Sequence, residues 1–222
     1  MSGGARPAAV PGVLGDGADL IILFARSPLP GQVKSRLAAT IGAAAALCAY
    51  EELLEHAAAA VAGCAGADRW LCLTGDDPAG RAAALAERHG LHVVAQAEGD
   101  LGRRMAQALR EGLERHSRAV LIGCDCPPLD ADVLAAALRA LRSHDMVFGP
   151  TEDGGYALVG SRAPCDAAFT AIDWGTAQVM AQTRERVRQQ GLSAHELPML
   201  WDVDDAADWA RFQAWRANRE VR

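Results

Sequence analysis

Short apolar runs alternate with longer stretches in which apolar positions recur every three or four residues, and the alternation continues through most of the chain. The runs predict buried strands at Leu20–Phe24, Trp70–Thr74, His92–Ala95, Ala119–Gly123, Asp145–Phe148 and Tyr156–Gly160. The helical spacing predicts helices from about Ala43 to Ala62, Pro78 to His89, Arg103 to His116, Asp132 to Arg142, Thr176 to Gln190 and Asp205 to Asn218. Gly90 and Gly191 stand where C-terminal caps belong, and Asp130 stands where an N-cap belongs. Alternating strands and helices with short connections predict an α/β fold with a mostly parallel sheet covered on both faces. Residues 1–18, rich in Gly, Ala and Pro, read as a disordered leader, and 19–222 read as one domain.

Composition narrows the classes. A chain of 222 residues suits one α/β domain, large enough to bury about 70% of its unfolded surface. The formal charge of −6 argues against a broad nucleic-acid or anionic-membrane surface, so any anion site is a local cationic pocket. No apolar run approaches the roughly 18–20 residues needed to span a bilayer. The first residues lack the apolar core of a signal peptide, which points to a cytoplasmic protein. Six cysteines without a C-x-x-C pair, and histidines without H-x-x-x-H spacing, argue against zinc and for reduced thiols in the core.

Candidate chemistry begins directly after the first apolar run. Residues 24–37, from Phe24, Ala25, Arg26 and Ser27 through Gly31 to Lys34, Ser35 and Arg36, form a loop with two prolines, a glycine and three cations. A long alanine-rich helix is expected next. An open α/β sheet places an anionic ligand there, beyond the strand's carboxyl end and near a helix N-terminus, so a phosphate or diphosphate is the expected guest. The glycines of a Walker A loop or of a G-x-G-x-x-G fingerprint are missing.

Three acidic segments follow at strand ends. Asp125, in Gly123-Cys124-Asp125-Cys126-Pro127-Pro128, projects at the sheet edge, either holding Mg²⁺ or Mn²⁺ through one or two oxygens or capping a turn. Asp153, Gly154, Gly155 and Tyr156 lie in a turn that either meets substrate or closes a plain hairpin. Asp204 or Asp205 suits the N-cap of the last helix, which leaves Asp202 as a second metal ligand. Gln96 and Asp100 lie where they either touch a base or sugar or form a polar connection, and Trp174 either stacks on a ligand or sits partly in the core.

These segments together resemble a family of small GT-A-like nucleotide-diphospho-sugar transferases, which includes glycosyltransferases assigned to arsenosugar biosynthesis. The motifs that carry the likeness are FARSPLPGQVKSRLA (24–38), GDLGRRM (99–105), IGCDCPPLD (122–130), GPTEDGGYALVG (149–160), IDWG (172–175) and DVDDAADW (202–209). The resemblance implies a three-layer α/β/α, Rossmann-like fold with a sugar nucleotide over the carboxyl edge. It puts Lys34 and Arg36 on the phosphates and Asp125 at the metal-binding position of a D-x-D pair. Cys126 replaces the second carboxylate, so metal ligation must borrow Asp202 or Asp153. The implied activity is metal-assisted glycosyl transfer from a nucleotide sugar to a small-molecule acceptor. Asp153 would contact the sugar or serve as base. The same plan is similar to small nucleotidyltransferases acting on a nucleoside triphosphate, and the incomplete acidic pair also leaves open a non-catalytic nucleotide-binding regulator. The identity of base, sugar and acceptor and the oligomeric state stay open.

Overall fold

The computed structural model describes residues 17–220. Its strands are β1 (Asp19–Arg26), β2 (Ala67–Thr74), β3 (His92–Ala95), β4 (Arg118–Gly123), β5 (Met146–Pro150), β6 (Tyr156–Ser161) and β7 (Ala194–Glu196). Its helices are α1 (Ser35–Ile41), α2 (Ala43–Gly63), α3 (Arg81–His89), α4 (Leu101–Leu113), α5 (Ala131–Ala140), α6 (Val179–Gln189) and α7 (Ala206–Glu220), with a 3₁₀ turn at Asp166–Phe169. The strands form one sheet in the order β3-β2-β1-β4-β6-β5-β7. Only β6 runs antiparallel to its neighbours, β4 and β5. This is an α/β fold with a mostly parallel mixed sheet.

Side chains alternate across each strand and so divide between two cores. Ile21, Leu23 and Ala25 of β1 join one cluster with residues of α2, α3 and α5. Leu20, Ile22 and Phe24 join the other with residues of α4 and α6. β1, buried on both faces, therefore reads as an unbroken apolar run. Helix ends follow local chemistry. Asp130 accepts from the Val133 amide (3.1 Å), and Gly90 takes the left-handed conformation at φ 65°. All six cysteines are free.

The structure departs from the sequence reading in several places. The helix predicted from Ala43 to Ala62 is α2, but the cationic loop before it winds into a further short helix, α1, that the apolar pattern does not predict; Gly42, with φ 86°, separates the two. β7 was not predicted, because three half-exposed or exposed residues carry no apolar pattern. Of the predicted leader, only Gly17 and Ala18 fall within the described residues, and both are tied down. The Gly17 amide donates to the Arg115 carbonyl (3.0 Å), and the Ser117 amide donates to the Ala18 carbonyl (3.0 Å). Among the described residues no helix is long and apolar enough to cross a membrane.

Gly160, at the centre of β6, shows how closely the sheet is packed. A Cβ there would lie 2.9 Å from the side chains of both Val120 and Val147 and 3.0 Å from the Ala119 carbonyl. Gly160→Ala is expected to cost about 1–3 kcal/mol by overpacking, lowering the melting temperature by roughly 2–4 °C per kcal/mol. A thermal melt that matches the wild type would refute this.

Candidate functional site at the carboxyl edge

The last residue of β1 is held from outside the sheet. The Arg26 amide donates to the Tyr50 hydroxyl (2.8 Å), which donates back to the Arg26 carbonyl (2.9 Å). Tyr50 is buried in α2. Burial, followed by the charges near Cys124 and Asp125, pushes its phenol well above the ordinary range, so it stays a neutral hydroxyl that both donates and accepts.

The loop that follows closes on Lys34, whose backbone is left-handed at φ 49°, ψ 48°. That conformation costs a residue with a side chain about 1–2 kcal/mol. The Lys34 side chain is only 5% exposed; its Nζ lies 2.9 Å from Asp125 Oδ2 and 3.8 Å from Asp204 Oδ1, and donates to the Val203 carbonyl. Burial opposes the ammonium charge, but Asp125 and Asp204 outweigh it and hold the pKa above the usual lysine value. Arg36, exposed, pairs with the other oxygen of Asp204 (2.9 Å).

A cleft of about 550 Å³ runs over the ends of four neighbouring strands. Its wall takes Gln96 just past β3, Thr74 at the end of β2, Arg26 at the end of β1 and Asp125 just past β4. At about 4.8 Å per strand, three spacings make a floor roughly 14 Å wide, the reach of an extended nucleoside diphosphate. Lys34, Ser35, Arg36 and Arg104 also line it. A second cavity of about 180 Å³ shares Phe24, Leu101, Gly123 and Asp125 with the first. Its remaining wall is largely apolar, with Tyr156, Cys126 and Asp202, and includes no Lys or Arg.

Asp202 is the electrostatic outlier of this second cavity. Burial, then the charges of Asp153, Asp204 and Asp125, push its carboxyl up to about 6. Cys126 stays a thiol: burial and then Asp202 raise its pKa to about 12. Among the described residues no three His, Cys, Asp or Glu side chains are grouped to hold a metal ion. Two carboxylates, Asp125 and Asp202, do face the same cavity. That donor set fits Mg²⁺ or Mn²⁺, which take one or two carboxylates and leave the remaining positions to phosphate oxygens and water.

Other residues singled out in the sequence hold the frame. Ser27, buried, donates its hydroxyl to the Gly75 carbonyl (3.0 Å) and does not line the cleft. Gly31 is exposed with φ 75° and supplies a turn. Asp100 caps α4, accepting from the Arg103 amide (2.8 Å). Asp153 Oδ1 accepts from the Thr151 hydroxyl (2.5 Å) and the Gly155 amide (3.0 Å), leaving Oδ2 without a hydrogen bond among the described residues. Gly154 (φ 89°) lies so close to α6 that a Cβ would sit 2.3 Å from the Ala177 carbonyl. Its amide donates to Thr151 and its carbonyl accepts from Met180, while the Gly155 carbonyl accepts from Thr151. Neither glycine lines either of these two cavities; both hold the turn in place. Trp174 likewise packs edge-on against Tyr156 (6.3 Å) and over Gly102, outside both cavity walls.

The sequence reading missed Tyr50, Arg104 and Asp204 as parts of the site. One signal was available: Lys34 is the only lysine, and every other basic residue of the 22 is arginine. A compact ammonium suits a buried point contact that a planar guanidinium does not.

A family model described as an uncharacterized protein conserved in bacteria, DUF2064, matches residues 57–176. The structure is similar to a crystal structure from Desulfovibrio desulfuricans G20 whose protein is named as a candidate nucleotide-diphospho-sugar transferase. The two are 32% identical, with 84% of this chain and 82% of that one covered and a TM-score of 0.77. It is also similar to CMP:2-keto-3-deoxy-manno-octonic acid synthetase complexed with CTP, at 13% identity, covering 90% and 99% of the chains, with a TM-score of 0.59. A third likeness is Rv0371C complexed with manganese from Mycobacterium tuberculosis H37Rv, at 17% identity, covering 88% and 97%, with a TM-score of 0.53. The last two show the fold alone. No protein with a curated description matches the sequence significantly.

The raised carboxyl of Asp202 has a thermodynamic consequence. Its folded pKa, about 6, lies above the ordinary aspartate value of about 3.9, so folding favours the protonated form. Its contribution to stability is complete below about pH 4 and is lost as pH rises through about 6. Asp202→Asn is therefore expected to melt above the wild type at pH 8 and to converge with it near pH 4. A melting difference that does not change with pH would count against this.

Proposed function

Because the chain belongs to the bacterial family DUF2064, and is 32% identical to a candidate nucleotide-diphospho-sugar transferase, we propose that it is a glycosyltransferase using a nucleotide-diphosphate sugar. The observation that carries this is the meeting of two unlike cavities at Asp125. One is a cationic cleft of nucleotide length. The other is a smaller, largely apolar pocket whose charged wall residues are the carboxylates Asp125 and Asp202. An uncharged sugar with an acceptor hydroxyl suits that pocket.

In this reading the cleft binds the nucleoside diphosphate with its phosphates at the Lys34 and Arg36 end. The acceptor oxygen bonds to the anomeric carbon as the bond from that carbon to the diphosphate oxygen breaks. The electron pair leaves with the diphosphate, where the Lys34 ammonium and Arg36 guanidinium meet the growing charge. We assign the acceptor proton to Asp153 Oδ2, the oxygen not used by the turn; Asp153 is exposed and lines neither cavity wall, and its link to the pocket is its charge on Asp202. Asp125 and Asp202 would hold Mg²⁺ or Mn²⁺, which when bound supplies further neutralisation of the leaving diphosphate.

The reaction products decide between the two chemistries. With a panel of nucleotide sugars, nucleoside triphosphates and Mg²⁺, glycosyl transfer releases a nucleoside diphosphate from one nucleotide sugar. Release of pyrophosphate from a triphosphate instead would establish nucleotidyl transfer and overturn this reading. Asp153→Asn keeps the Oδ1 acceptor, so it is expected to bind the donor normally and lose roughly 100-fold or more in turnover. Asp125→Asn is expected to lose metal-dependent donor binding. Full turnover in either variant would remove that residue from its assigned role.

A further inference from the structure

Gln96 lines the cleft, yet its amide group is fully engaged by the protein. Its Nε2 donates to the carbonyls of Ala25 (3.1 Å) and Cys72 (2.8 Å), which fixes the amide across the ends of β1 and β2. Its Oε1 is thereby turned toward Arg104, accepting from Nη1 (3.1 Å). A second, longer contact runs from Arg104 Nε to the Asp100 carbonyl (3.4 Å), and Asp100 is itself fixed as the cap of α4. Of the five guanidinium donors, both on Nη2 and one on Nη1 make no hydrogen bond among the described residues. Nor does any carboxylate pair with Arg104 there. Arg104 lines the cleft beside the Gln96 amide, over the ends of β1 and β2, on the side of β1 away from Asp125. With the diphosphate at Lys34 and Asp125, this is the end left for the base.

We propose that Arg104, aimed by Gln96, reads the nucleotide base and selects guanine, whose O6 and N7 offer two adjacent acceptors to a guanidinium fork. Adenine presents a donor at the matching position, uracil sets a ring N–H between its two carbonyls, and the adjacent O2 and N3 acceptors of cytosine stand closer together than O6 and N7 of guanine. Arg26, whose charge with burial lowers the Arg104 pKa, adds a second cation at this end and disfavours an exocyclic amine there. Arg104 touches the ligand; Gln96 is a positioning residue acting through it. The inference rests on the cleft being the nucleotide site proposed above.

Titration calorimetry with GDP, UDP, ADP and pyrophosphate, each with Mg²⁺, tests it on the wild type, Arg104→Lys and Gln96→Leu. The wild type is expected to bind GDP about 10- to 100-fold more tightly than ADP or UDP. Arg104→Lys keeps the charge and loses the fork, so the preference is expected to shrink toward unity, with the loss falling on GDP rather than on pyrophosphate. Gln96→Leu is expected to reduce the same ratio at an unchanged fold, checked by its melting curve. Nucleotides bound without preference for guanine, or a preference that survives Arg104→Lys, would overturn this proposal and leave the transferase reading standing. Failure of every nucleotide and of pyrophosphate to bind the wild type would overturn both.

Discussion

The carboxyl edge of the sheet is organised around one buried cation. The Lys34 ammonium joins three segments distant in sequence: the loop after β1, the turn after β4 through Asp125, and the stretch before α7 through Val203 and Asp204. An ammonium with so little exposure is stable as a charge only with partners. The three segments are therefore obliged to meet. The left-handed backbone at Lys34 is the local cost of delivering the side chain inward. Both cavities open against this junction because Asp125, which forms their common wall, is positioned by it.

A consequence is that charge around the site is unevenly balanced. Lys34 and Arg36 are matched by Asp125 and Asp204, whereas Asp202 faces three carboxylates and has its proton affinity raised. Over the ends of β1 and β2 Arg26 and Arg104 lie near one another, again like charge beside like charge. The cleft thus carries a cation excess, while the smaller cavity beside it has only carboxylates as its charged wall residues. Such imbalance is unfavourable in isolation; in the function proposed above, a metal ion and an acceptor-rich base would relieve it.

The motifs contain two kinds of residue that look alike on paper. In GDLGRRM, Asp100 spends its carboxylate on a helix cap, while Arg104 keeps donors free in the cleft. In TEDGGY, the glycines allow the turn to lie against α6, while Tyr156 lines the smaller cavity. Ser27 gives its hydroxyl hydrogen to a backbone carbonyl, and Gln96 spends both amide hydrogens on backbone carbonyls and its oxygen on Arg104. Hydrogen-bond accounting, rather than residue type, separates the two kinds.

What the sequence determined by itself was whatever depends on near neighbours. The apolar runs of β1, β2 and β4, the caps at Asp130 and Gly90, and the grouping of charge after strand ends were legible because periodicity and capping are local. The fold class followed from their order. Only the tertiary structure decided that the cationic loop would wind into α1 ahead of the predicted helix, that β7 would add an edge strand, and that Tyr50 would clamp the end of β1. The same holds for the choice of Arg104 over Asp100 and of Asp202 as the strained carboxylate. Tyr50 meets Arg26 across 24 residues of sequence, and Asp202 is raised by burial and by carboxylates of other segments. The energy of a hydrogen bond or a charge is set by what surrounds it in space, and linear spacing does not record that environment.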